Sequence, residues 1–186
     1  MERFVSSILK SIDDKNYFAA LFVALAMPDI CGALENPNAE VGKRYKKWFD
    51  KYLKSKYAPT NHLEALAANF PDIRKILPPD AVAQMSTPFD TLLWFTAEDC
   101  LRCRNKFLHQ GLLENSQKEK ITFITPLPNR LVVHKSIRNG TLVLQINAFA
   151  EDICHGVQAW ERDVQSDTNT MRRIGELMTF TEWYDL

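Results

Sequence analysis

The period at which apolar residues return decides what this chain can become, and over most of its length that period is helical. Phe4, Val5, Ile8, Leu9 and Ile12 recur at spacings of three and four residues. So do Val41, Tyr45, Trp48, Phe49 and Tyr52, and later Phe149, Ile153, Val157, Trp160 and Val164. Such stripes place one side of a helix in a core and leave the other to water. The period drops to two in one region only. Ile121 to Thr125, Leu131 to Arg138 and Thr141 to Asn147 alternate, with Asn139-Gly140 between the last two runs. Asn-Gly is a hairpin signal there because both central residues of the favoured turn take positive φ. The expected fold class is therefore mainly α: a helical bundle with a small antiparallel β-meander at about 120–147, inserted before the C-terminal helices. A length of 186 residues with 46% hydrophobic content suits a single domain over 1–186.

Finer expectations follow from punctuation. Asp13-Asp14 offers a cap for a second helix through Tyr17, Phe18, Leu21, Phe22 and Leu25, and Pro28 should end or kink that helix. Asp29 and Glu35 flank the break, either as cap and solvated acid or as carboxylates able to reach a central helix. From Ala58 to Asp90, five prolines separate short pieces, so a long connection with one or two short helices is expected. A tail helix should run from Met171 to Phe180, with Trp183-Tyr184 pinning the C-terminus. His134 reads as a solvated sheet residue, and His62 has no role.

The densest polar chemistry lies in Thr96 to Gly111. Thr96 and Asp99 form a capping-box-like start, and Gly111 stands where a left-handed C-terminal cap is wanted. Leu101, Phe107 and Leu108 with Cys100 and Cys103 can face a core. Arg102, Asn105 and His109 then recur at three and four residues on another side.

Within that stretch, Arg104-Asn105-Lys106-Phe107-Leu108-His109 resembles the motif of the HEPN domains. These are helical bundles whose RNA-cleaving members carry an arginine, four to six intervening residues and a histidine. Asn105 matches the polar residue common after the arginine. Arg102 satisfies the same rule with six intervening residues, so both arginines stay in play, with Arg104 preferred for the Asn that follows it. The resemblance implies a homodimer joined through the motif region, with Arg104 and His109 of both subunits lining one cleft that cuts single-stranded RNA without a metal. In that chemistry the substrate's own 2′-hydroxyl is the nucleophile. Histidine suits the acid-base task, arginine suits donation to phosphate oxygens, and Asn105 would contact substrate or place the imidazole. The alternative is a non-catalytic module of the same resemblance that binds a protein or nucleotide partner, of toxin-antitoxin or phage-defence type.

Charge adds little to this, since 23 basic and 23 acidic residues cancel and any nucleic-acid contact must be local. One basic patch stands out on the helix from about 40 to 53, where Lys43, Arg44, Lys46 and Lys47 join Arg102 as expected RNA contacts, against a plainer reading as a solvated face. Cys100 and Cys103 form a lone Cys-x-x-Cys pair; a zinc site would need Cys31 and Cys154 to converge on it, so neither metal nor cofactor is expected. Gly-x-Ser-x-Gly and phosphate-loop motifs do not occur in a chain with six glycines. The longest apolar run, Ala19 to Met27, is half a membrane span, and Met1-Glu2-Arg3 lacks the flanks of a secretory signal. A cytoplasmic protein without a membrane partner is expected.

Overall fold

The computed structural model describes residues 1–68, 70–88, 94–110, 120–128 and 131–178. Helix α2 (Tyr17–Glu35) is its axis, packed against α1 (Glu2–Asp13), α3 (Val41–Tyr52), α8 (Ala97–Gln110) and α9 (Ile146–Asp163). It buries Ala20, Leu21, Ala24, Leu25, Met27, Cys31 and Leu34 because it is apolar almost all round. By length and composition α2 is also long and apolar enough to cross a bilayer, and half of the qualifying window is buried inside the protein.

Two expectations at α2 are corrected. Its N-cap is Asn16, whose side chain accepts from the Ala19 amide at 3.2 Å, while Asp14 pairs with Lys10 and Lys15 turns the chain at φ 58°. The helix also runs through Pro28 to Glu35. An interior proline costs about 3 kcal/mol. Burial of Cys31 and Leu34 beyond it returns about 1.5 to 3 kcal/mol for a typical large side chain, and with both buried, continuing the helix wins.

Between α3 and α8 the chain forms α4 (Lys54–Tyr57), α5 (His62–Ala67), α6 (Ile73–Ile76) and α7 (Pro79–Met85), all short; Asn61 caps α5 and Pro79 opens α7. An aromatic cluster joins the layers: Phe49, Tyr57, Phe95, Phe123 and Phe149 have ring centroids 5.3 to 6.4 Å apart. Helix α10 (Thr168–Gly175) follows α9 and is capped by Asp167. The expected Trp183-Tyr184 anchor lies outside the described residues.

The fold class is as the periods imply: mainly helical, with a three-stranded sheet before the C-terminal helices. The strands are β1 (Lys120–Ile124), β2 (Ser136–Arg138) and β3 (Thr141–Gln145). Asn139 and Gly140 turn β2 into β3 at φ 51° and 71°, the hairpin foreseen. The pairing of β1 differs from a meander. It lies parallel to β3, with Lys120 opposite Thr141 and Ile124 opposite Gln145, giving the order β1-β3-β2. The reason lies in β3, where Leu142, Val143 and Leu144 are all buried, so it takes the centre of the sheet, while β2 keeps Ile137 and Arg138 exposed at an edge.

His134 precedes β2 and is not a solvated sheet residue. Its side chain is 6% exposed. Nδ1 accepts the Gln145 amide at 3.0 Å, which leaves Nε2 to carry the proton toward Tyr57 Oη at 2.9 Å. Tyr57 donates onward to Asp152 at 3.0 Å, and Lys56 donates to the other oxygen at 2.6 Å. Burial, with Lys135 and Lys56 nearby, lowers the His134 pKa to about 4 despite Asp152. The unfolded chain therefore takes up this proton near pH 6.5, before the folded one does. Stability is full above pH 6.5 and falls as pH drops toward 4, by up to about 3 kcal/mol. Calorimetry from pH 7 to 4.5 should show a falling Tm, and His134→Asn, which keeps an acceptor for the amide, should flatten that slope; a wild-type Tm that stays level over this range would contradict the network.

Candidate functional site

Helix α8 starts on a closed capping box. The Thr96 hydroxyl accepts from the Asp99 amide at 3.2 Å, and Asp99 Oδ2 accepts from the Thr96 amide and hydroxyl at 2.9 and 2.5 Å. Asp99 is 2% exposed, and its other oxygen takes the Arg102 guanidinium. One carboxylate thus both starts the helix and holds Nη2 of an arginine whose side chain remains 53% exposed.

Around that helix, Ala97, Cys100, Cys103 and Phe107 face the core. Glu98, Arg102, Asn105 and His109 are exposed, and spacings of four, three and four put them on one side. Arg102 and His109 are about 10 Å apart along the axis and nearly eclipsed around it, with Asn105 between them. Among the described residues the His109 side chain has no hydrogen-bond partner. Lys46 of α3 reaches the near end of this face and pairs with Glu98 at 3.0 Å. Glu98 completes the same periodicity and was overlooked in the sequence, although its spacing from Arg102 was legible there.

Arg104 lies elsewhere. Its guanidinium points to α2, where Nη2 bonds Asp29 Oδ2 at 3.0 Å and Nη1 bonds Asn105 at 2.9 Å. Asp29 Oδ1 accepts from Arg44 Nε of α3 at 2.8 Å. The three side chains are only 16 to 18% exposed, so Asp29 is neither a helix cap nor a solvated acid but the link between three helices. Among the described residues the buried Arg104 Nε has no hydrogen-bond partner. Arg104 and His109 point about 140 degrees apart around α8, so one chain does not aim both at one phosphate. Glu35 likewise reaches inward, accepting from Trp160 Nε1 at 3.1 Å while pairing with Lys47.

The other expected RNA contacts are all ion-paired. Lys43 meets Glu40 at 3.2 Å, Arg44 meets Asp29, Lys46 meets Glu98, and Lys47 meets Glu35 at 3.4 Å. The lysine pairs are solvent-exposed and each is worth about 1 kcal/mol or less, so a phosphate can compete for them; the buried Arg44 pair is structural.

All four cysteines are buried and reduced. Cys100 Sγ lies 3.2 Å from the Tyr45 hydroxyl, and burial pushes the Cys103 thiol up to about 12 and that of Cys100 higher still. At neutral pH both are packed thiols rather than thiolate nucleophiles. Among the described residues no group of three or more His, Cys, Asp or Glu is placed to hold a metal ion. In comparisons with protein-family models, curated proteins and solved structures, nothing matches this chain.

Removing the shared carboxylate separates the buried arginine from the exposed one. Asp29→Ala strands two partly buried guanidinium groups and should cost about 3 kcal/mol in urea unfolding. Arg102→Ala should cost less, about 1 to 2 kcal/mol, since the buried Asp99 it leaves behind keeps its two bonds from Thr96. Equal losses for the two variants would contradict these assignments.

Proposed function

We propose that the protein is a metal-independent endoribonuclease acting on single-stranded RNA, working in the cytoplasm as a two-fold homodimer. The observation that carries this is the exposed line of Arg102, Asn105 and His109 on α8, held at its base by buried Asp99. His109 serves as the acid-base group, Arg102 donates to the phosphate oxygens, and Asn105 holds the substrate between them. Arg104, preferred on sequence for the Asn beside it, acts through Asp29 as the support of that face. A second copy supplies the opposite wall of the cleft. Phe18 and Phe22, 67% and 47% exposed beside Phe107 at 4.9 and 6.2 Å, give an apolar patch near the His109 end of α8 for that contact.

The second reading, a non-catalytic module that binds a protein or nucleotide, draws on a different observation. Arg104 and Arg44 are committed to Asp29, while the lysines of α3 carry only surface pairs that an anionic partner can displace.

Cleavage of single-stranded RNA in the presence of a chelator separates the two. Wild-type protein should cut, and His109→Ala should lose roughly 100-fold to 10,000-fold with unchanged helix content. Arg102→Ala should lose at least about 100-fold in rate, while Arg104→Ala should lower thermal stability as well. Light scattering should give a dimer mass at micromolar concentration. Cleavage that survives His109→Ala, or a strictly monomeric mass, removes the catalytic reading, and failure to cut varied RNAs favours the binding module.

A further inference from the structure

A cavity of about 280 Å³ opens on the other side of α3, between that helix and the last turn of α2. It is distinct from the α8 face: Lys43, Lys47 and Lys51, four residues apart, line it, whereas Lys46 does not and pairs instead with Glu98 of α8. Its wall carries four cations, these three lysines and Arg44, against one carboxylate, Glu35. The acids that pair with the outer lysines, Glu40 and Asp163, stand outside the lining and are themselves 68% and 47% exposed. The fourth cation, Arg44, is tied to Asp29, which it shares with Arg104, so that buried trio keeps a net positive charge beside the cavity.

The aromatic side of the cavity is rigid. The Tyr52 ring lies 5.2 Å from that of Trp48, its hydroxyl donates to Asp163 at 3.0 Å, and Lys51 sits 5.0 Å above its face. Trp48 in turn is wedged at Gly156, where an added Cβ would fall 2.8 Å from Cη2. A fixed aromatic ring beside a row of flexible cations matches a ligand that joins a flat base to a phosphate.

We infer that this cavity binds a nucleotide, with the base against Tyr52 and the phosphate between Lys43 and Lys47. The nucleotide is either free or one residue of a single-stranded RNA, two sources with the same chemistry. Site and stripe are independent: the pocket can bind whether or not the α8 face cleaves, so the experiment uses the full chain carrying His109→Ala.

Calorimetric titration with adenosine 5′-monophosphate should show one site per chain, with adenosine and inorganic phosphate each at least tenfold weaker. Affinity should fall as salt is raised. Lys47→Ala, at a side chain 72% exposed, and Tyr52→Leu should each weaken binding at least tenfold while the circular dichroism stays that of the parent. A hexa-adenylate that displaces the mononucleotide and binds more tightly assigns the site to RNA; tighter binding by the mononucleotide assigns it to the free nucleotide. No saturable binding of either, or binding that both variants leave unchanged, overturns the inference.

Discussion

The structure turns on one carboxylate. Asp29 sits one residue beyond a proline in the most buried helix and holds Arg44 of α3 and Arg104 of α8 at 2.8 and 3.0 Å. A partly buried acid with two arginines is costly to desolvate, and its worth lies less in net stability than in what it forbids. Any rotation or slide of α8 against α2 would strand a charge in a nearly dry space. The rotation of α8 is therefore fixed, and with it the set of side chains that α8 shows to water.

The proposed function rests on that rotation. With Arg104 turned inward, the opposite face presents Arg102, Asn105 and His109, and the buried Asp99 ties the first of them to the start of the helix. A catalytic group on a rigid helix face loses little order when substrate arrives, which is where much of the advantage of a preorganised site lies. The same constraint places α3. Arg44 fixes its inner side, so its lysines divide, Lys46 toward the α8 face and Lys43, Lys47 and Lys51 toward the cavity beyond. One charged knot thus sets two separate surfaces.

How much of this was legible in the sequence depends on the range of the interaction concerned. Helices α1, α3, α8 and α9 and the Asn139-Gly140 hairpin could be read because their signals are local: period, cap and turn chemistry. The exposed spacing of Arg102, Asn105 and His109 was legible for the same reason. The preference for Arg104 rested on its neighbour Asn105, whereas the direction of its side chain is decided by Asp29, 75 residues away. Pro28 does not end its helix, because the local backbone cost visible in the sequence is outweighed by burial that is not. His134 was taken for a solvated residue because its partners, Tyr57 and Asp152, come from distant segments. The parallel pairing of β1 escaped in the same way, since alternation marks strands without saying which ones meet.

The chemistry of the cut ends tests the central claim most directly. If His109 and Arg102 serve attack by the substrate's own 2′-hydroxyl, the products carry a 2′,3′-cyclic phosphate and a 5′-hydroxyl. A substrate with a single cleavable position should then become inert when that position is 2′-deoxy. Products bearing a 5′-phosphate, or cutting that continues at the 2′-deoxy position, would contradict the account.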